Sequence, residues 1–305
     1  MMRRQAVCGA AFFLANVAAG PAQTDPGLSI KPAGVTLSGE KIGPEKAPVD
    51  LSRPEPEATQ AAVPLEGAEF FEAALRGEAW AQTKLGKIYV AAPDDAQLER
   101  GVTLLGEAAD QHDAEAIYFL ATLSAVGHGV KQSDLNAFEQ MKRAAELGFA
   151  EAQFALGTMY FKGSGTNQDE AAAIQSFLQA AKQGHIEAMF ASGRILLAKP
   201  NPQQRGEGLA LMGRAIASGH IEATLMLATA YGRGSIGMPK DEAQAEAILK
   251  PAAERGDADC QMALASLYKF GDSFAERRAL ADDWLQRAAE QGQPKALEIL
   301  ASGEP

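Results

Sequence analysis

Cysteine is almost missing from this 305-residue chain, which holds only Cys8 and Cys260. Two thiols cannot build a disulfide framework or a four-ligand zinc site. Aromatic side chains make up 7% of the residues, too few for a β-sandwich held by aromatic cross-strand pairs. Long apolar runs are missing too: the stretch Ala6–Ala19 is interrupted by Gly9 and Asn16, and nothing after it approaches the ~20 apolar residues that a membrane-spanning helix needs. Positive charge is scarce, with 28 Lys+Arg against 39 Asp+Glu and a net charge of −11. That balance repels phosphate backbones and anionic membrane surfaces, so nucleic acid is excluded as a partner and cationic or neutral partners remain. What the chain has in quantity is alanine, 61 residues or a fifth of the total. Small, strongly helix-forming side chains at that density point to closely packed helices.

The first 22 residues read as an address. Arg3 and Arg4 form a basic start, an apolar stretch follows, and small residues offer cleavage after Ala19 or Ala22. Removal of this segment takes away Cys8 and both arginines, so the exported chain carries one thiol and a net charge of −13. No transmembrane segment is expected in that mature chain. Residues 23–66 then hold seven of the 15 prolines and no aromatic residue. Such a segment cannot bury enough surface to offset its ordering entropy and is expected to be a disordered, extended linker.

Residues 67–305 repeat. Ala144-Ala145-Glu146-Leu147-Gly148-Phe149-Ala150-Glu151-Ala152 and Ala180-Ala181-Lys182-Gln183-Gly184-His185-Ile186-Glu187-Ala188 share one pattern, 36 residues apart. The glycine column runs Gly77, His112 as the exception, Gly148, Gly184, Gly219, Gly256 and Gly292. Four residues on stands a small side chain each time: Ala81, Ala116, Ala152, Ala188, Ala223, Cys260 and Ala296. Cys260 thus fills an alanine slot, where a thiol packs as a small hydrophobe with no base beside it. Each period resolves into two helices. The first, helix A, places Ala152, Leu156, Met159 and Tyr160 at helical spacing; a glycine-bearing loop such as Gly163-Ser164-Gly165 follows. The second, helix B, can be capped by Asp169 or Ser133 and ends at the column glycine. A hairpin of this size cannot bury its apolar face alone, whereas stacked hairpins share a continuous core.

Residues 144–179, AAELGFAEAQFALGTMYFKGSGTNQDEAAAIQSFLQ, resemble the Sel-one-like repeat, a relative of the tetratricopeptide repeat. The alanine–glycine column, the Leu156-Gly157 pair, the tyrosine and the Gly-x-Gly loop recur in register from Ala73 to about Ala301. The fourth repeat departs, with Ser192-Gly193 for Leu-Gly, Leu196 for the tyrosine and Lys199-Pro200-Asn201-Pro202 for the glycine loop. The resemblance implies an all-α fold, a right-handed superhelical α-solenoid of about six hairpin repeats with terminal half-repeats.

Chemistry is hard to find. His185 and His220 follow the column glycine in equivalent slots and are expected to be structural, and repeats stacked ~10 Å apart cannot share a metal at ~2 Å bonds. The Gly-x-Gly loops lack the strand and lysine of a phosphate loop, and no Ser/His/Asp set is evident. No catalytic residue, metal ligand or cofactor is assigned. A surface remains, the exposed stripe of the A helices on the concave face. In register it consists of Thr83 and Lys87, Tyr118 and Thr122, Phe154 and Thr158, Phe190 and Arg194, Leu225 and Thr229, then Met262 and Ser266. Lys87 and Arg194 stand out, because a charge on an otherwise neutral stripe has no core role.

These features point to a non-enzymatic, exported protein-interaction module or scaffold of the bacterial envelope, binding a protein or peptide on the concave face. The resemblance further implies regulation of the periplasmic domain of a membrane sensor kinase, since exported members share the plan of signal segment, linker and repeats. The alternative it carries is a cell-wall-directed hydrolase or β-lactamase-like penicillin-binding protein. Those relatives staple each hairpin with a cysteine pair, which this chain lacks. The mature chain is expected to begin at Gly20 or Gln23. N-terminal sequencing of the protein from the cell envelope checks this, and an intact Met1 would make residues 23–66 the stalk of a retained anchor.

Overall fold

The computed structural model describes residues 67–271 and 274–302. The expected signal segment, 1–22, and the linker, 23–66, lie outside the described residues. Among the described residues every regular element is a helix, fourteen in all, and the chain divides after Asp169 into two compact units.

The first unit holds α1 (Gly67–Leu75), α2 (Ala79–Val90), α3 (Asp95–Asp110), α4 (Ala114–Val126), α5 (Asp134–Glu146) and α6 (Ala150–Lys162). Each helix packs on the next, with hairpins α2/α3 and α4/α5 as the A–B pairs. The second unit holds α7 (Glu170–Lys182), α8 (Ile186–Leu197), α9 (Pro202–Ala217), α10 (Ile221–Arg233), α11 (Glu242–Glu254), α12 (Ala258–Phe270), α13 (Phe274–Glu290) and α14 (Pro294–Ser302). Its hairpins are α8/α9, α10/α11 and α12/α13, and α10 also packs on α12, the A helix of the next repeat. The consecutive packed hairpins of the expected solenoid are therefore present.

The small-residue column explains how hairpins stack. Ala81, Ala116, Ala152, Ala188, Ala223, Cys260 and Ala296 are all 0% exposed. Within each hairpin a second small pair marks the crossing. A Cβ on Gly101 of α3 would stand 2.7 Å from the Val90 nitrogen and 2.8 Å from the Gly86 oxygen of α2. Gly208 of α9 meets α8 the same way, 2.8 Å from the Leu197 nitrogen and 2.9 Å from the Gly193 oxygen. The fourth repeat thus keeps its crossing glycine. The serine beside it is also accommodated, because Ser192 is fully buried and its Oγ donates to the Ala188 carbonyl at 2.6 Å. Leu105 and Met212 pack against the crossing glycines Gly86 and Gly193, and Leu104, Met141 and Leu264 are fully buried as well.

The glycine column closes each helix B in the left-handed region, with φ between +80° and +96°. At the exception, His112 adopts the same conformation at φ 64°, and Arg143 of the next helix B donates to its Nδ1 at 3.0 Å and to the Ala109 carbonyl at 2.8 Å. In α4, α8, α10, α12 and α14 the side chain of the residue after the column position closes the first turn, whereas Glu78 before α2 and Phe149 before α6 make no such bond. Asp113 and Asp257 each accept a backbone N–H at 2.8 Å, and Gln293 accepts the Ala296 N–H at 2.7 Å. His185 and His220 perform the same task through Nδ1, at 3.2 and 3.0 Å from the Ala188 and Ala223 nitrogens. An accepting Nδ1 carries no proton, so the proton of the neutral ring sits on Nε2. In His220 that nitrogen bonds the Glu187 carboxylate at 3.1 Å, and this hydrogen bond holds the Glu187 carboxyl below its ordinary value. Ser133 caps α5 as expected, accepting from the Asn136 N–H at 3.2 Å.

Two stability outcomes follow from this packing. Ala152→Leu should cost about 1–3 kcal/mol by overpacking a closed crossing, and Cys260→Ala clearly less, because it removes one buried sulfur from an alanine slot. Urea melts of both variants measure the difference, and equal losses would contradict the register. In the same melts His220→Ala should cost about 1 kcal/mol through loss of its cap, while His220→Asn, which keeps a capping acceptor, should stay near wild type. If Asn is as damaging as Ala, the ring's stacking and not its cap holds the start of α10.

Candidate interaction groove

In the first unit the A-helix stripe is largely closed. Thr83 and Thr122 are buried, and their hydroxyls donate back to their own helices, to the Ala79 carbonyl at 2.9 Å and the Phe119 carbonyl at 2.6 Å. Phe154 and Thr158 of α6 are buried as well, with the Thr158 hydroxyl donating to the Phe154 carbonyl at 3.1 Å. Lys87 is engaged: its Nζ pairs with Glu115 of α4 at 2.6 Å and lies 4.5 Å from the centre of the Phe119 ring. Tyr118 is half-buried between Phe119 and Phe149, with ring centres 5.5 and 5.3 Å away. Burial, then the nearby Glu151 carboxylate, pushes its phenol up from the ordinary value. The charge that sequence singled out on α2 is thus a link between neighbouring A helices.

The second unit is more open. Phe190 is buried, stacked on the His220 ring at 4.5 Å, and the Arg194 guanidinium lies 5.6 Å from the Phe190 ring centre. Beyond it, the remaining four stripe residues converge. Leu225 and Thr229 of α10 and Met262 and Ser266 of α12 line one groove of about 400 Å³. Leu249 of α11 lies in its floor and Phe270 at its rim. Phe270 is 77% exposed, the highest value among the exposed large apolar side chains. Four charged residues border the same space: Arg233, Glu242, Asp259 and Lys295.

Sequence reasoning placed Leu225, Thr229, Met262 and Ser266 here and missed the residues around them. The signal for two of these was available. Arg233 and Phe270 stand four residues beyond Thr229 and Ser266, the next turn of the same stripe. A third signal lies in the slot before the small-residue column, which is acidic at Glu115, Glu151, Glu187, Glu222 and Asp259 and turns basic at Lys295.

The groove offers shape and charge, and no reactive centre is evident in it. Among the described residues no three His, Cys, Asp or Glu side chains are grouped to hold a metal ion. The buried Cys260 thiol is pushed up to about 12, chiefly by burial and then by Asp257. At neutral pH it stays protonated and is no nucleophile.

The Sel1 repeat family model matches residues 114–149, 150–185, 221–257 and 258–293. Each match begins at the start of a helix A, and the segment skipped between them, 186–220, is the repeat with the divergent sequence. No curated protein matches the chain. Among solved structures, a Sel1 repeat protein from Oxalobacter formigenes is 28% identical, with a TM-score of 0.58 over 76% of this chain and 68% of that one. A protective antigen of uropathogenic Escherichia coli strains, described as displaying an SLR fold, is 26% identical with a TM-score of 0.61, over 78% of this chain. The match spans about half of that antigen, 52% of its chain. Sel1 repeats are in general protein–protein interaction modules. Four model matches in register with the helix hairpins show that the chain carries Sel1 repeats.

Proposed function

We propose that this protein is a non-enzymatic scaffold of the bacterial envelope, exported to the periplasm, that holds an extended segment of a protein partner in the α10–α12 groove. The observation that carries this reading is the groove itself. Four residues from two successive repeats line it, over a buried floor and beside an aromatic ring that the fold leaves in water. Exposing Phe270 has no folding benefit, and a large ring at the edge of a polar-rimmed cleft is the usual anchor of a recognition surface. The Thr229 hydroxyl donates to the Leu225 carbonyl at 2.7 Å and keeps its acceptor capacity for a bound backbone N–H, and Ser266 lines the same groove. The periplasmic domain of a membrane sensor is the finer candidate for the partner, by analogy with exported relatives of the same plan.

Capture of the partner by the mature protein from an envelope extract, followed by titration with the purified partner, tests the reading. Thr229→Trp fills the groove and Phe270→Ala removes the anchor. Each should weaken binding about tenfold or more, mainly through faster dissociation, with helix content unchanged by circular dichroism. Deletion of residues 23–66 should leave affinity intact. If both groove variants bind as wild type while that deletion abolishes binding, recognition belongs to the proline-rich segment.

A further inference from the structure

The two cations of the groove are in a different state from its two acids. Asp259 accepts a hydrogen bond from Gln293 Nε2 at 3.3 Å, and Glu242 is ion-paired with Lys240 at 3.0 Å. Arg233 and Lys295 are both exposed, and among the described residues neither has a hydrogen-bond or ion-pair partner. Their backgrounds differ as well. Arg233 stands in the last turn of α10, where the helix dipole favours a cation. Lys295 stands in the first turn of α14, where the dipole disfavours one, in the slot that five preceding repeats fill with Glu or Asp. Folding therefore gives no reason for a lysine at this position.

From these observations we infer that the groove selects an extended peptide with a carboxylate at each end of a short stretch and an apolar side chain between them. The inference rests on the α10–α12 groove being the binding face. Arg233 and Lys295 receive the two carboxylates, and the space over Met262 and Leu249, flanked by Phe270, receives the apolar side chain. Length follows from helix geometry. Counted against the small-residue column, the two cations are eleven register positions apart, an offset of about 16 Å along the A-helix axis. They also lie on A helices two repeats apart, and their long side chains close part of the gap. A ligand that touches both needs at least about five extended residues at ~3.3 Å each.

Net charge opposes this choice and loses to distance. The chain's net −11 repels an acidic ligand during approach, but at physiological salt the screening length is about 8 Å, so most of that charge is not felt inside the groove. A direct contact with either cation is shorter than that length and is screened less. Each exposed pair contributes up to about fivefold in affinity, so two pairs acting together give roughly tenfold selectivity.

The probes are three fluorescein-labelled heptapeptides read by anisotropy on the mature protein: Glu-Ser-Val-Leu-Thr-Ser-Glu, the same peptide with Gln at both ends, and the same with Lys at both ends. The Glu-ended peptide should bind about tenfold tighter than the Gln-ended one, and the Lys-ended one more weakly than either. The preference should shrink in 0.5 M salt and vanish in the double variant Arg233→Gln/Lys295→Gln. Thr229→Trp should weaken all three peptides. Equal binding of the Glu- and Gln-ended peptides, tighter binding of the Lys-ended one, or no binding of any overturns the charge rule. The groove reading itself fails only if Thr229→Trp also leaves capture of the natural partner unchanged.

Discussion

Helices in this protein cross with almost nothing between their backbones, and the rest of the structure depends on that closeness. At the α2/α3 and α8/α9 crossings even a methyl group would collide with backbone atoms, and the same register positions elsewhere hold alanines such as Ala121, Ala137, Ala265 and Ala281, all buried. Small residues contribute little transfer free energy of their own. Their effect is to bring the helices near enough for Leu, Met and Phe around the crossing to interdigitate. It also explains the repetitive stability of the chain. A single hairpin has too little surface to bury, so each borrows a face from its neighbour and the contacts are those of a one-dimensional stack.

Close crossings leave the outward stripe of the A helices to be settled locally. Where a neighbouring A helix supplies a matching group, the stripe closes, as Lys87 does on Glu115 and Phe119. Threonines on the stripe turn their hydroxyls onto their own helix, so they can be buried without an unsatisfied donor. Between α10 and α12 the corresponding residues are Leu225, Thr229, Met262 and Ser266, which carry no charges to pair and no ring to stack across the gap. The groove is what remains there.

Most of the fold was legible because each structural requirement writes a periodic mark. The left-handed end of helix B favours glycine, with His112 the one exception in the column, the crossing favours a small residue, and both recur at about 36 residues. The lining of the candidate groove was half legible. Four-residue spacing reaches Thr229 and Ser266, and carried one turn further it reaches Arg233 and Phe270, which line the same groove. Burial of Thr83 and Thr122 could not be read, since it depends on what packs over the helix and not on the helix's own period. His185 and His220 illustrate another limit. Their slot was visibly structural, yet only the geometry shows Nδ1 doing the capping work of an aspartate. The division after Asp169 leaves no mark in the repeat register.

Net charge was the least transferable of the sequence-level quantities. A balance of −11 is a statement about the far field, and it disfavours nucleic acid because a polyanion meets many of those charges at once. A short peptide meets only the few groups within a screening length. In the α10–α12 groove Glu242 is paired with Lys240 and Asp259 holds a hydrogen bond from the neutral Gln293, while among the described residues the exposed Arg233 and Lys295 have no ion-pair partner. A protein can therefore be acidic as a whole and still present a basic pair to its ligand. The far field then slows encounter with acidic partners in general, and the pair rewards only those whose carboxylates reach both of its members.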